Sequence, residues 1–387
     1  MYPVIRVEGD ARERGRQYGA QARDRVRRSI AAYRKVFQHY ATWDWTRVLE
    51  EARRFHDPIR AFGPSYHDEL VGIAEGAEVE LDDVVAINVR TEIMFAAKAR
   101  TAGASLPSVA ECSSFARIGQ DSGTIVGQNW DWLPHAFDTT VVLEVDPASG
   151  PRFVTVVEAG LLAKTGLNSA GLGVCTNALV SAGDVGAPGV PYHVLLRALL
   201  DATTPTAALA TLQRGTRSSS ANYLLAHDSG LALDVESSPG DFSHLYLLDP
   251  DERGWLLHTN HFLSRTLAGP DVGLWVMPDS PFRLQRLRAA VAALEAGEDA
   301  EGLADALSDH AGHPFGVCCH PDPAVPEVEQ GATVASLVMN LAERSLRLAS
   351  GNPCEVGYDV LDYRDFLAFP GGAVDRGRSE STGASVI

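Results

Sequence analysis

A chain of 387 residues is long enough to bury a substantial core, as one large domain or two. A formal charge of −17 argues against nucleic acid or an anionic membrane surface as partner. No apolar run approaches a membrane span and Met1-Tyr2-Pro3-Val4-Ile5-Arg6 is no signal peptide. Five cysteines, with Cys318 and Cys319 adjacent, make no secreted disulfide framework, so a soluble cytoplasmic protein is expected.

The first hundred residues read as helices. Asp10-Ala11-Arg12-Glu13 resembles a capping box, and apolar residues recur at helical spacing through Tyr18, Ile30, Tyr33 and Phe37. Further helical patterns run over 45–62, 66–77 and 81–97. From Thr101 to Ala110 the small residues and a proline carry no periodicity, which predicts a loop. Cys112 to Ile118 and Thr124 to Gln128 then read as strands joined by the turn Gln120-Asp121-Ser122-Gly123. Further β-prone runs cover 139–145, 153–158 and 171–176. Helices follow at 192–200 and from Thr204-Pro205 to Arg214, the second with a threonine cap and proline at its first position. Runs at 223–227, 231–236, 244–248 and 254–258 predict antiparallel strands. A helix from Asp279-Ser280-Pro281 to Leu294 precedes strands at 333–340 and 345–348. Beyond Gly371 the chain is polar and rich in glycine and serine, a composition expected of a mobile tail. Helices followed by a mostly antiparallel β region with inserted helices indicate the α+β class.

The stretch Glu111-Cys112-Ser113-Ser114-Phe115, with Gly127-Gln128-Asn129-Trp130-Asp131 behind it, carries the chemistry. A loop ending at a cysteine that opens a strand suits cleavage between Glu111 and Cys112, which would give Cys112 a thiol and a free amine together. A thiol pKa of ~8.5 and an α-amine pKa of ~7.7–8.0 match well enough for the amine to act as general base for its own side chain. Before cleavage the same thiol could attack the Glu111 carbonyl. The hairpin would bring Asp131 back to hold the new ammonium or orient the cysteine. A small buried core cysteine remains open as the other reading of the same stretch.

Several strings then arrive in a recognisable order. They are Cys112-Ser113-Ser114, Gly127-Gln128-Asn129-Trp130-Asp131, and Lys164 ahead of Gly166-Leu167-Asn168-Ser169-Ala170-Gly171-Leu172-Gly173. Ser220-Ala221-Asn222-Tyr223, His258-Thr259-Asn260-His261 and Gly351-Asn352-Pro353-Cys354 follow. Together they resemble the acyl-coenzyme A:isopenicillin N (6-aminopenicillanic acid) acyltransferase family, over Gly9 to about Phe366. That family is similar in turn to the choloylglycine hydrolases. The resemblance implies an N-terminal-nucleophile αββα sandwich, two antiparallel sheets between helical layers, with a helical N-terminal segment. It implies that 1–111 is released on autocleavage yet stays as partner of a catalytic segment 112–370, within one structural domain.

Residue by residue, the resemblance implies Cys112 as nucleophile and Asp131 as the aspartate near its amine. Asn260 matches the asparagine that helps form the oxyanion hole, Asn177 a second donor in related hydrolases, and Arg283 an arginine close to the nucleophile. Ser114 matches a hydroxyl associated with self-processing. The best-known member has glycine before its cysteine, where this chain has the bulkier, charged Glu111. If Ser280 caps its helix, Arg283 lies in the first turn, where the dipole disfavours a cation and a partner such as a carboxylate is expected.

His313, Cys318, Cys319 and His320 have metal-ligand chemistry, but their spacing fits no standard zinc pattern and the resemblance implies no metal. A cysteine–histidine dyad using His227, His258 or His261 has no sequence signature. Glu236 reads as a hydrogen-bonding core carboxylate, and Lys164 as structural or substrate-facing rather than catalytic. No glycine loop suited to a phosphate is evident, so no cofactor is expected, although a coenzyme A thioester could be a substrate. The reading is an autoproteolytic amidohydrolase acting on linear amides through an acyl-thioester enzyme. The alternatives are coenzyme A-dependent acyl transfer to an amine, and an uncut, catalytically silent binding module.

Overall fold

A computed structural model describes residues 1–101, 105, 112–119, 123–267, 269–294 and 300–368, side chains 300 and 301 excepted. Glu111, most of the loop expected before it, the turn residues Gln120 to Ser122 and the tail beyond Gly371 lie outside the described residues.

The strands in chain order are β1 (Val4–Gly9), β2 (Cys112–Ile118), β3 (Thr124–Trp132), β4 (Thr140–Pro147), β5 (Phe153–Glu158), β6 (Thr165–Asn168) and β7 (Leu172–Ala178). They continue with β8 (Ala221–His227), β9 (Leu231–Ser237), β10 (Leu245–Leu248), β11 (Trp255–His258), β12 (Ala332–Asn340), β13 (Ser345–Ala349) and β14 (Asp359–Asp362). An eight-stranded sheet runs β1-β4-β5-β6-β7-β8-β9-β10, and a six-stranded sheet runs β11-β2-β3-β12-β13-β14. Among the described residues every strand ladder is antiparallel except β1 with β4, where Ile5 sits opposite Leu143.

The layers follow from which faces are apolar. Val142, Val154, Val156, Leu167 and Leu224 of the larger sheet meet Ala116, Val126, Trp130, Leu337 and Met339 of the smaller one in a core between the sheets. The outer face of the larger sheet, with Val141, Leu143, Val145, Phe153 and Val157, packs under the N-terminal helices through Tyr18, Val26, Tyr33 and Ile87. The outer face of the smaller sheet, with Phe115, Ile125 and Val338, is covered by Leu287 and Val291 from helix Ser280–Ala293, by Leu303 from helix Ala300–Ala306 and by Leu307 just after it. This is the expected αββα sandwich.

The helical layer is set by a close approach of two helices, Ala11–Gln21 and Pro64–Ala77. A Cβ at Gly15 or Gly19 would stand 2.2 Å from the Glu69 or Ile73 carbonyl oxygen, and one at Gly76 would stand 2.1 Å from that of Arg16. No side chain larger than hydrogen fits these crossings. Arg14 and Arg197 both bind the buried Glu69, at 3.0 and 3.2 Å, and so tie this layer to helix Tyr192–Leu200.

Several expectations are corrected. The N-terminal segment is not wholly helical: Ile5 and Val7 are buried and their neighbours are not, a period of two that makes β1 an edge strand. The pattern over 45–62 breaks into Trp45–Arg53 and His56–Phe62, and that over 81–97 into Leu81–Asn88 and Arg90–Arg100. The first pair buries Val48, Ala52, Phe55 and Ile59 at helical spacing across its break, and the second is packed on both faces, so the apolar periodicity runs through each break. Asp10 does cap, accepting from the Glu13 amide, but the Glu13 carboxylate turns to Arg16 and Gln17, so the box is half made. Strands β6 and β14 were not expected. Ser280 is the first residue of its helix and not its cap, because its hydroxyl is engaged by the amide of Asn260 at 2.7 Å.

Candidate active site

Strand β2 starts at Cys112 and sets it opposite Trp130 of β3, so Asp131 lies one residue on from the cysteine's partner. On the other side β11 pairs His258 with Ser114, and the chain leaving that strand delivers Thr259 and Asn260 beside Cys112. Asn177 comes from the end of β7 in the facing sheet, and Arg283 from the first turn of helix Ser280–Ala293. Four separate elements therefore meet at one residue.

Side chains hold the backbone of Cys112 at both ends. Its N–H donates to Asn260 Oδ1 at 2.7 Å. Its carbonyl accepts from Asn177 Nδ2 at 3.0 Å and from Arg283 Nη1 at 3.1 Å. Arg283 reaches Asn260 Oδ1 through Nη2 at 3.1 Å and the Ser113 hydroxyl through Nη1 at 3.2 Å, while its Nε donates to Asp279 Oδ2 at 2.5 Å. Asp279 is thus the carboxylate that the position of this cation called for. A buried guanidinium with a carboxylate partner is a rigid, permanently charged donor. Asn260 Nδ2 donates to the Ala178 carbonyl at 2.9 Å, and Ser114 Oγ donates to Asn177 Oδ1 at 2.7 Å.

Burial dominates the electrostatics. Asp131 is fully buried, with Oδ1 accepting from the Thr333 hydroxyl at 2.5 Å, and its carboxyl is pushed up to about 7 by loss of solvent, against the pull of Arg283 and Thr333. The Cys112 thiol is likewise pushed up by burial, with Lys164 opposing. Lys164 is 5% exposed and pulled down to about 8 by burial. Its ammonium lies 5.0 Å from the ring centroid of Trp130, a cation–π contact that offsets part of the lost hydration.

Cys112, Asp131 and Lys164 share one pocket. The remaining wall is almost entirely apolar, built by Phe37, Met94, Phe95, Leu179, Val180 and Met277 among others. Arg90 closes one side. It is clamped by Glu158 at 3.3 Å and stacked on Tyr33 and Trp132. Seven of the seventeen lining residues come from the N-terminal helices, so residues before Cys112 form part of the pocket.

The structure brings Cys112, Asp131, Asn177, Asn260, Arg283 and Ser114 together. Glu111 lies outside the described residues. The three histidines weighed for a dyad have other partners: His258 binds Glu236 at 2.8 Å, His261 binds Ser280 at 2.8 Å and His227 binds the Ala170 carbonyl at 2.9 Å. Glu236 also accepts from the amides of Leu263 and Ser264, as a core carboxylate should. Sequence reasoning set Lys164 aside, although a lysine beside small and apolar residues in a lysine-poor chain was the available signal. It also passed over Gln128, which spans the two sheets through Thr165 and Thr176 and faces the Cys112 thiol.

A model of the acyl-coenzyme A:6-aminopenicillanic acid acyl-transferase family matches residues 118–355. Over 352 residues the chain is 26% identical to the acyl-coenzyme A:6-aminopenicillanic-acid-acyltransferase 40 kDa form of Emericella nidulans, covering 90% of this chain and 92% of that one. Among solved structures it is similar to penicillin V acylase from Agrobacterium tumefaciens, with a TM-score of 0.45, 16% identity, and 68% of this chain and 90% of that one covered. It is also similar to a mutant conjugated bile acid hydrolase from Clostridium perfringens, with a TM-score of 0.47, 14% identity, and 67% and 94% covered. The chain belongs to the acyl-coenzyme A:6-aminopenicillanic acid acyl-transferase family.

Proposed function

We propose that the protein cuts itself before Cys112 and then hydrolyses a linear amide through an acyl-thioester on that cysteine. The observation that carries this reading is the fixing of both backbone groups of Cys112 by side chains, at the floor of an apolar pocket. Such an arrangement suits a chain terminus, because an amine at this position keeps Asn260 Oδ1 as acceptor and gains Asp131 as a carboxylate in the same pocket.

In the first reaction the Cys112 sulfur attacks the Glu111 carbonyl carbon, the C–N bond breaks, and the thiol proton passes to the departing Cys112 nitrogen. Water then cleaves the thioester, leaving a Glu111 carboxylate and a free amine and thiol on Cys112. In the second reaction that amine takes the thiol proton as sulfur attacks the substrate carbonyl. The leaving amine collects this proton, the acyl group remains on sulfur, and water releases it as a carboxylate. We assign the oxyanion to Asn260 Nδ2, which faces the pocket wall at Ala178. A donor of this kind contributes about 3–4 kcal/mol to the transition state. We assign Asn177 and Arg283 to holding the nucleophile's backbone, and Ser114 to holding Asn177. The apolar wall favours an apolar acyl group, and the N-terminal segment, which supplies β1 and much of that wall, stays bound after cleavage.

The second reading is acyl transfer from a coenzyme A thioester to an amine, favoured by the description of the family and of the fungal relative. Acyl release from a chromogenic amide with and without a competing amine separates it from hydrolysis. The experiment that tests the whole reading is intact mass of the wild type beside Cys112→Ala. Two fragments breaking before Cys112 in the wild type and one chain in the variant are expected. A stable single wild-type chain that no thiol-directed acyl probe labels would instead indicate a silent binding module.

A further inference from the structure

Gly351-Asn352-Pro353-Cys354 and the run Cys318-Cys319-His320 contribute nothing to the pocket, yet the fold draws them together. Cys318 Sγ lies 3.6 Å from Cys354 Sγ and 3.5 Å from His320 Nε2. Cys354 Sγ lies 3.3 Å from His320 Nε2, which is 3.1 Å from His310 Nε2. All four donor atoms fall within 4.8 Å of one another.

The separations of 3.1 to 3.6 Å are near those of a coordination shell, and all lie within 4.8 Å. A tetrahedral zinc ion with bonds of ~2.3 Å to sulfur and ~2.0–2.1 Å to nitrogen spaces its donors by roughly 3.8 Å for S–S, 3.6 Å for S–N and 3.4 Å for N–N. We propose that His310, Cys318, His320 and Cys354 bind one zinc ion in a closed, structural Cys₂His₂ site. The spacing in sequence hides it, because the second cysteine comes from a separate segment after β13 and the neighbouring Cys319 and His313 take no part.

The surroundings are those of a metal site. The other nitrogen of His320, Nδ1, is 3.6 Å from Glu355 Oε1, close enough for a small movement to form the carboxylate–histidine hydrogen bond that fixes which nitrogen faces a metal. Asn352 Nδ2 lies 3.5 Å from Cys318 Sγ and donates to the Cys319 carbonyl at 2.6 Å, so the chain around the ligands is pinned. Both thiols lose their protons to solvent on binding. Two thiolates and two neutral imidazoles around a divalent cation sum to zero charge, which suits a site half buried at the edge of the fold. All four positions are filled by protein, so no open coordination position is left for substrate.

The site also has a structural consequence. Cys319, between two of the ligands, exchanges hydrogen bonds with Thr333, at 2.9 Å in each direction, and Thr333 is the donor to Asp131. The ion would thereby tether the loop behind the carboxyl that lies in the pocket.

The test is zinc content and cobalt binding of the full chain purified under reducing conditions without chelator. One zinc per chain is expected, and Co²⁺ added to stripped protein should give the visible bands and sulfur-to-cobalt charge transfer of a tetrahedral dithiolate site. Cys354→Ser and His310→Ala, both at exposed positions, should retain native circular dichroism and lose more than about tenfold in zinc affinity, since even outer-shell losses cost ~10–100-fold. Substoichiometric zinc together with no cobalt spectrum, or binding unchanged in both variants, would overturn the proposal. So would a Cys318–Cys354 disulfide that persists in protein carrying no metal.

Discussion

The buried Asp131 carboxyl carries an electrostatic cost in the intact chain, and the size of that cost is measurable. Its pKa stands at about 7 in the folded uncut chain against an ordinary value of 3.8, a difference of roughly three units or about 4 kcal/mol. Because the folded value is the higher one, the stabilising contribution is full below about pH 4 and is lost as pH rises to about 7. Over that window the unfolded carboxyl ionises first. Asp131→Asn removes the charge and keeps an acceptor for Thr333. In a Cys112→Ala background, where the proposed cut cannot occur, it should stabilise the chain at pH 8 by up to about 4 kcal/mol, and the gain should shrink toward zero near pH 4. Urea unfolding at a series of pH values measures this directly. A difference that does not change with pH, or a loss of stability at pH 8, would refute the electrostatic account of Asp131. The proposed cleavage would draw a driving force from the same cost. A new ammonium at Cys112 would place a positive charge in the buried site and favour the ionised carboxylate that the intact chain penalises.

Lys164→Met should slow alkylation of Cys112 by a neutral thiol reagent, because the buried ammonium favours the thiolate. Lys164 titrates at about 8, so the ratio of wild-type to variant rates should be largest below that pH and approach unity above it; a ratio constant with pH would show that the lysine acts only by packing. Gly76→Ala should cost ~1–3 kcal/mol by urea unfolding, since its Cβ would meet the Arg16 carbonyl oxygen at 2.1 Å. Gly357→Ala, whose Cβ meets nothing within 4 Å, is the control and should be close to neutral.

What the sequence made legible depended on whether a signal was local. The hairpin that carries Cys112 and Asp131, the threonine cap at Thr204 and the strand ending before Asn260 are fixed by neighbours in the chain, and each was readable in place. Arg283 was half readable: the helix dipole argues that a first-turn cation has an acidic partner, and Asp279 is four residues away. Strand β1 was missed because six residues of alternation are outweighed by the strong helical periodicity that follows. The four-residue spacing of Gly15 with Gly19, and of Gly72 with Gly76, was visible, but nothing local says that the two pairs face each other. Lys164 was undervalued for a related reason. Its chemistry comes from a desolvated position between Trp130 and Tyr192, two aromatic residues that the chain supplies from different segments. The histidine–cysteine cluster is the extreme case: the neighbours His313, Cys318, Cys319 and His320 fit no zinc spacing, while the fold gathers Cys318 and His320 with Cys354 and His310. Residue types announce which chemistry is possible, and the sheet register decides which residues share it. In this chain one ladder of β3 sets Trp130 against Cys112 and the other sets Asp131 against Thr333, so the cysteine and the carboxyl are positioned by the two ladders of a single strand.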